Sequence, residues 1–248
     1  MLSKQEVLIL VPAFNEEGSI AKTLQELKEF GYNVLVIDDG STDSTADIAL
    51  SQQALVLRLP FNLGVGGALR VGFQYACNAG YVAVVQVDAD GQHPINQIVD
   101  LIDEANAEGC HMVVGSRFIS ESTTMKVGRI RRIPMRLLAR GASAATGVLM
   151  TDSTSGFRLI QQPLLGEFAR SFPVYYLGDT YEALISAGKA GYKVREIPAS
   201  LHSREVGESS ASIPQAIKLV IKALTVSLLQ LHFTIQASTA TDVSRQRK

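Results

Sequence analysis

The stretch VAVVQVDADGQH (Val82–His93) joins a short, continuous apolar run to a group of polar residues that follows it at once. Such a run is typical of a strand buried on both faces of a parallel sheet. The chain contains further runs of this kind at Val7–Val11, Val34–Ile37, Leu55–Leu59 and Met112–Val114. These runs predict strands of one mostly parallel sheet.

Helical patterns lie between these predicted strands. Apolar residues recur at helical spacing in residues 20–27, 67–79 and 95–102, and a glycine closely follows each segment. A shorter helix is expected to end near Leu50. Strand and helix therefore alternate over the first 115 residues, which predicts an α/β fold with a doubly wound, mostly parallel, Rossmann-like sheet. In such sheets, ligands bind at the carboxyl ends of the strands.

The second half of the chain is less regular. We expect a basic helix over about residues 127–146, a Ser/Gly-rich turn at Thr151–Gly156, a helix around Thr180–Ala190 and a strand at Lys193–Ile197. These elements complete one predicted domain over residues 1–212.

The C-terminal part carries a different pattern. Residues 213–236 are expected to form an amphipathic helical segment, which either docks on the protein's own core or lies at a membrane surface. Residues 237–248 have the composition of a polar, disordered tail. Because no apolar run reaches the length of a membrane span, and the first run is too short for a signal peptide, we expect neither feature.

The charges are unevenly distributed, although the net charge is only −1. Residues 116–151 hold seven basic residues and one acidic residue. This bipolar arrangement disfavours a protein that coats nucleic acid, but it suits a face that meets anionic lipid or phosphates. A solvated Arg-rich helix is the alternative. Cys77 and Cys110 are isolated, so they indicate neither a disulfide framework nor a zinc site and fit a reducing cytoplasm.

Polar residues follow every predicted strand of the first half, as expected for a binding crevice. Asp88 and Asp90 come directly after a buried run, and carboxylate oxygens at this spacing suit Mg²⁺ or Mn²⁺ that bridges a diphosphate. A pair of solvated turn residues is the alternative.

Glycines after the third strand offer a second ligand contact. Gly64 and Gly67 allow a ligand to approach the backbone at a helix N-terminus, and Arg70 is placed one turn further to face an anion. Leu69 stands where the dinucleotide fingerprint needs its third glycine, and no Walker A sequence occurs. A Rossmann dehydrogenase and a P-loop NTPase are therefore both disfavoured.

Seven motifs, taken in order, resemble glycosyltransferase family 2, which has the GT-A fold, and in particular its polyprenyl-phosphate sugar synthase branch. They are VPAFNEE (Val11–Glu17), IDDGSTD (Ile37–Asp43), NLGVGGA (Asn62–Ala68), VDADGQH (Val87–His93), GSR (Gly115–Arg117), DSTSGFR (Asp152–Arg158) and R-x-x-G-x-S-S (Arg204–Ser210). The resemblance covers roughly the first 210 residues, which would be the catalytic domain.

This resemblance implies a metal-dependent, inverting transferase that moves a sugar from a GDP- or UDP-linked donor to a polyprenyl phosphate. The implied pocket for the donor's base and ribose consists of Pro12, Ala13, Phe14, Glu16 and Asp39. The implied site for Mg²⁺ or Mn²⁺ and the donor diphosphate consists of Asp88, Ala89, Asp90 and Gln92. The implied acceptor-phosphate site consists of Arg117, Arg204, Ser209 and Ser210. For the two arginines, a surface salt bridge is the alternative.

The acceptor decides whether a general base is needed. A phosphate monoester is largely ionised near neutral pH and attacks unaided, whereas a hydroxyl needs a base. Asp179 and Glu182 are the candidates for that base, and ordinary exposed helix carboxylates are the alternative. The chain has Ser209 and Ser210 where the branch often has a lysine, and we expect none of the C-terminal membrane helices that many relatives carry.

Other functions stay open at this stage. A transferase to a glycan or protein hydroxyl is the main alternative. A nucleotidyltransferase is disfavoured because no Gly-rich basic loop follows the first strand, and a non-catalytic lipid-surface subunit is the remaining possibility. We expect a cytoplasmic protein that associates peripherally with the cytoplasmic membrane.

Overall fold

The computed structural model describes residues 1–119, 129–173 and 179–201, with the backbone alone at 129–134, 136 and 179. Several expected features lie outside the described residues: Arg204, Ser209, Ser210, the amphipathic segment 213–236 and the tail 237–248. They stay predictions.

Within the described residues, seven strands form one sheet in the order β3-β2-β1-β4-β6-β5-β7. The strands are β1 (Val7–Ala13), β2 (Asn33–Asp38), β3 (Leu55–Arg58), β4 (Ala83–Gln86), β5 (Met112–Ser116), β6 (Arg158–Gln161) and β7 (Val194–Pro198). The helices are α1 (Ile20–Glu29), α2 (Thr45–Ser51), α3 (Val65–Asn78), α4 (Ile98–Glu108), α5 (Arg129–Thr146), α6 (Leu164–Ser171) and α7 (Asp179–Lys189). The predicted α/β class and the mostly parallel, doubly wound sheet are confirmed.

Strand β6 and helix α6 were not predicted from the sequence. Strand β6 runs antiparallel to both of its neighbours, β4 and β5, whereas the other pairs in the sheet are parallel. It begins with Arg158, whose side chain is fully buried, and has only two apolar residues. The guanidinium donates to the carbonyls of Ser155 and Thr180, so the polar group is satisfied inside the protein.

The reversed strand shapes the edge of the sheet where ligands are expected. Since β6 runs against its neighbours, the residues that lead into it lie at the edge where β4 and β5 end. The N–H of Gly115, in β5, donates to the carbonyl of Phe157 at 2.8 Å. The Ser/Gly-rich turn Thr151–Gly156 is thereby placed between the carboxyl ends of β4 and β5.

The two faces of the sheet carry separate cores, as a doubly wound fold requires. Leu8 and Leu10 of β1 pack in a cluster with buried residues of α3, α5, α6 and α7. Ile9 and Val11 pack in a second cluster with residues of α1, α2 and α4. Because successive residues of β1 point to opposite faces, this strand is buried on both sides.

The predicted basic helix is confirmed within the residues described, as α5. It packs closely on α7. A Cβ atom on Gly188 of α7 would lie 2.5 Å from the carbonyl oxygen of Ala145 in α5. The two helices therefore meet at a glycine that leaves no room for a side chain. No helix in the described parts of the chain is both long and apolar enough to cross a membrane.

Candidate active site

The loops that follow β1 and β2 are joined by hydrogen bonds in both directions. The N–H of Asn15 donates to Ser41 Oγ at 2.9 Å, and the N–H of Thr42 donates to Asn15 Oδ1 at 2.9 Å. The N–H of Glu16 donates to Thr45 Oγ1 at 2.8 Å. These bonds cross-link the ends of two neighbouring strands into one wall of the crevice.

Asp43 strengthens this wall with its carboxylate, which accepts the N–H of Glu17 at 3.2 Å and the N–H of Thr45 at 2.9 Å. Burial tends to raise the pKa of Asp43, but the hydrogen bonds from Thr45 and Glu17 outweigh it and lower the pKa below the ordinary value. A carboxylate of this kind stabilises the fold above its unfolded pKa, and the contribution is lost as the pH falls through the folded pKa.

We therefore expect Asp43→Asn to lower the Tm by about 3 °C near neutral pH, because the variant loses the charged acceptor. The difference from the wild type should narrow as the pH is lowered from neutrality to below the ordinary pKa of aspartate, about 4, and then through the lowered pKa of the folded carboxylate. Thermal unfolding curves across this range check the prediction. A difference that does not change with pH would contradict it.

The residues expected around the donor's base lie at this wall. Pro12 and Ala13 are the last residues of β1, and the Ala13 carbonyl accepts the N–H of Asp39 at 2.8 Å. The side chain of Phe14 is exposed, so its ring is open to a ligand. The Glu16 carboxylate accepts a hydrogen bond from Ser19 Oγ at 2.8 Å. The structure thus brings these residues together, and their contacts with a base stay a prediction.

Asp39 connects the same wall to the loop before α3. Its buried carboxylate accepts the N–H of Leu63 at 2.7 Å. Burial raises the pKa of Asp39. The neighbouring Gly40 has φ +75°, and a Cβ there would lie 2.8 Å from the carbonyl carbon of Phe61. Glycine is therefore required where these two loops meet.

The glycine-rich start of α3 is built around its own loop. Gly64 caps the helix with φ +79°, and a Cβ on Gly67 would lie 2.5 Å from the Cβ of Leu63. Arg70, expected to face an anion, donates to the carbonyl of Arg170 in α6. Through this contact, Arg70 links α3 to α6. Its role towards a ligand stays a prediction.

Asp88 is held from two sides. Gln86 Nε2 donates to Asp88 Oδ1 at 3.1 Å, and His93 Nε2 lies 3.4 Å from Asp88 Oδ2. His93 Nδ1 accepts the N–H of Asp88 at 2.9 Å, so a neutral ring carries its proton on Nε2, facing the carboxylate. The His93 ring is buried and lies 5.2 Å from that of Phe157, centroid to centroid. These contacts fix the direction of the Asp88 side chain.

The rest of this turn is also ordered by local contacts. Asp90 Oδ1 accepts the N–H of Gln92 at 3.1 Å. Ala89 is buried, and its carbonyl accepts a hydrogen bond from Thr23 Oγ1 at 3.1 Å. The described residues contain no group of three or more His, Cys, Asp or Glu side chains that would hold a metal by themselves. Two carboxylates still fit Mg²⁺ or Mn²⁺, because these cations commonly take their remaining ligands from substrate phosphates and water.

Arg117, at the carboxyl end of β5, is locked by a buried partner. Its Nε and Nη2 atoms donate to the two oxygens of Asp152 at 2.6 and 2.7 Å, and Nη2 also donates to Thr154 Oγ1 at 2.9 Å. Burial alone would lower the pKa of Arg117, but Asp152 and the charge of Asp88 raise it. Arg117 thus forms a salt bridge, as the alternative predicts, but with a buried partner, since the Asp152 side chain has no exposed surface.

The Arg117–Asp152 pair is supported by residues for which the sequence predicted no role. Glu196 of β7 accepts the N–H groups of Thr151 and Asp152 at 2.7 and 2.6 Å. At the other end of the turn, a Cβ on Gly156 would lie 3.3 and 3.4 Å from the Asp88 carboxylate oxygens. The DSTSGFR motif pointed to Asp152 and Gly156, whereas no local signal marked Glu196.

We expect Gly156→Ala to reduce turnover about tenfold while the fold is retained, because the new methyl group pushes on Gln86 and Asp88. Gly166→Ala is the matched control, since a Cβ there meets only the flexible end of Gln162. Initial rates and the Tm of both variants check this prediction. Equal rates for both variants would contradict it.

The two candidate bases lie on α7. Asp179 begins this helix, and its side chain is outside the description. Glu182 is partly buried, and neighbouring Tyr181 is buried against Gly141 of α5. These contacts place α7 in the fold, and a catalytic role for either carboxylate stays a prediction.

The comparisons with known proteins agree with this geometry. The family model described as "Glycosyl transferase family 2" matches residues 8–168. The chain is 27% identical to the polyprenol monophosphomannose synthase of Mycolicibacterium smegmatis, over 84% of this chain and 82% of that protein. It is 29% identical to the UDP-N-acetylglucosamine–dolichyl-phosphate N-acetylglucosaminyltransferase of Methanococcus voltae, over 77% of this chain and 84% of that protein.

A solved structure supports the fold. The glucosyl-3-phosphoglycerate synthase of Mycobacterium tuberculosis, crystallised with Mn²⁺, uridine diphosphate and phosphoglyceric acid, superposes with a TM-score of 0.66. The match covers 90% of this chain and 77% of that one, at 20% identity. The predicted GT-A fold and the likeness to the polyprenyl-phosphate sugar synthase branch are confirmed. The chain belongs to glycosyltransferase family 2, and it is a glycosyltransferase.

Proposed function

We propose that this enzyme transfers a sugar from a nucleotide-sugar donor to the phosphate of a polyprenyl phosphate, with inversion at the anomeric carbon. One observation carries the proposal: the turn Thr151–Gly156 holds the Arg117 guanidinium through Asp152 near its start, and its last residue, Gly156, lies against the Asp88 carboxylate. This arrangement supports a site in which Arg117 would meet the acceptor phosphate and Asp88 would lie on the donor side.

The relatives support this acceptor class. The name of one relative gives polyprenol monophosphomannose as what it makes, and the name of the other pairs dolichyl phosphate with N-acetylglucosamine. The common feature is the lipid phosphate, while the sugar varies. The proposal therefore commits to a polyprenyl monophosphate and leaves the donor sugar, and GDP versus UDP, to experiment.

A divalent cation, Mg²⁺ or Mn²⁺, is proposed on the donor side, where Asp88 and Asp90 would hold it with Gln92. The Mn²⁺ and uridine diphosphate in the synthase structure, together with the space that Gly156 leaves beside Asp88, support this placement. When bound, such a cation offsets the negative charge that develops on the leaving nucleoside diphosphate.

The side chains then divide the work. Gln86 and His93 hold Asp88 in place, and Phe14 and Asp39 line the proposed base pocket. Arg117 would orient the acceptor phosphate for in-line attack, with Arg204, Ser209 and Ser210 proposed as further contacts to that phosphate. Because the second pKa of a phosphate monoester is about 6, its oxygen is a nucleophile near neutral pH without a general base.

The proposal is tested with a panel of GDP- and UDP-linked sugars, each incubated with the enzyme, Mg²⁺ or Mn²⁺ and a short polyprenyl phosphate. We expect one donor to give glycolipid and released nucleoside diphosphate, and the matching polyprenol without phosphate to give no product. Transfer to the polyprenol, or to a glycan in preference to the lipid phosphate, would contradict the proposal.

We also propose that the enzyme binds membranes peripherally, through the basic helix α5 and segment 213–236. Several basic residues near an anionic surface contribute about 1 kcal/mol each, and an amphipathic helix adds apolar burial. We expect co-sedimentation with anionic vesicles that weakens as salt rises and in Arg131→Glu/Arg132→Glu. Binding that is unchanged by salt and by this double substitution would contradict the electrostatic part.

A further inference from the structure

The turn Thr151–Gly156 contacts both halves of the proposed site. Near its start, both carboxylate oxygens of Asp152 accept hydrogen bonds from the Arg117 guanidinium. At its end, Gly156 lies against the Asp88 carboxylate. One short segment therefore contacts a residue of the proposed acceptor site near its start and a residue of the proposed donor site at its end.

Glu196 is the anchor of this turn. Its Oε2 accepts the N–H of Thr151 at 2.7 Å, and its Oε1 accepts the N–H of Asp152 at 2.6 Å. Strand β7 pairs in parallel with β5, and Glu196 lies level with Val114, three residues before Arg117. The strand that carries Glu196 is thus bonded directly to the strand that ends at Ser116, one residue before Arg117.

The chemistry of the contact requires a carboxylate. Two successive backbone N–H groups are both donors, and a carboxylate presents two acceptor oxygens side by side. A glutamine at this position has one acceptor and one donor, so one N–H would face an NH₂ group. One of the two short bonds must then be lost, and the turn is free to shift at the residue that holds Arg117.

We propose that Glu196 is a positioning residue, which acts through Asp152 on Arg117 and so governs use of the phosphate acceptor but not of the donor. This inference rests on the proposed function only in naming the acceptor. Glu196 itself lies behind the turn and touches its backbone, and the effect passes along the path Glu196, Asp152, Arg117.

The test compares Glu196→Gln with Glu108→Gln, which removes the charge of a carboxylate that also contacts β7, through Lys193 and Arg195. We expect Glu196→Gln to raise the KM for polyprenyl phosphate about tenfold, with donor binding unchanged, and Glu108→Gln to change neither. In an Arg117→Ala background, Glu196→Gln should raise that KM less than about twofold further, because its effect passes through Arg117.

A second readout does not depend on activity. The Nε–H resonance of Arg117, assigned by its absence in Arg117→Lys, should be protected from solvent exchange in the wild type and in Glu108→Gln, but not in Glu196→Gln. If the wild type does not use polyprenyl phosphate, the proposed function fails, and this resonance still decides the positioning role. An unchanged resonance in Glu196→Gln, or a full tenfold effect of Glu196→Gln in the Arg117→Ala background, would overturn the inference.

Discussion

Asp88→Asn and Asp90→Asn are each expected to reduce transfer by about 100-fold or more, while both variants keep the fold. Each substitution removes one of the two charges proposed to hold the cation on the donor diphosphate. Neither carboxylate belongs to the buried core, so we expect each substitution to leave the fold intact. Initial rates, together with circular dichroism and the Tm, measure this result.

Asp103→Asn is the matched control, because it removes an exposed carboxylate on α4, away from the crevice, and should leave the rate unchanged. Excess EDTA should abolish transfer by the wild type, and added Mg²⁺ or Mn²⁺ should restore it. Full activity in either crevice variant, or undiminished activity in EDTA, would refute the metal assignment.

The second large effect is expected when an arginine proposed to bind the acceptor phosphate is removed. Arg117→Ala and Arg204→Ala should each raise the KM for polyprenyl phosphate about 100-fold and leave donor binding intact, because both cations are proposed to attract the acceptor phosphate and neither is proposed to line the base pocket. Asp179→Asn and Glu182→Gln should change the rate less than about twofold, because an ionised phosphate needs no general base. Steady-state kinetics with each substrate varied in turn separate the two effects.

Stability needs its own control in this series. Arg117→Ala leaves the buried Asp152 carboxylate without its main partner, which costs about 3–5 kcal/mol when a buried ion pair is broken. Arg117→Lys keeps the positive charge but loses the bidentate contact with Asp152. We expect it also to raise the KM for polyprenyl phosphate, with a smaller loss of stability than Arg117→Ala. An essential carboxylate on α7, combined with full activity of Arg117→Lys and Arg204→Ala, would show that a hydroxyl nucleophile carries the reaction.

The parallel core was predictable because its signal is local. Runs such as Val7–Val11 are apolar over their whole length, and the structure extends that strand only to Ala13. Strand β6 escaped prediction because it has only four residues and begins with a buried arginine, Arg158, which leaves a very short apolar run. Its polar group is satisfied by carbonyls at Ser155 and Thr180, and the contact to Thr180 spans 22 residues.

At the site, too, local sequence signals were predictable and contacts between distant residues were not. Asp88 and Arg117 stand out because polar residues at strand ends are visible in the sequence. The contacts that orient Arg117 join residues 35 positions apart, and Glu196 reaches Asp152 across 44 positions. Such pairings depend on where β6 and β7 enter the sheet. Local patterns carry no information about that order, so the support of the site became visible only in the structure.

The central claim is that the lipid phosphate is the nucleophile, and the ³¹P NMR spectrum of the lipid product tests it most directly. After incubation with the preferred donor, Mg²⁺ or Mn²⁺ and polyprenyl phosphate, we expect the phosphomonoester resonance of the lipid to be replaced by a phosphodiester resonance. The phosphodiester should form in equal amount to the released nucleoside diphosphate. A phosphomonoester signal that persists while the donor is consumed would contradict this account.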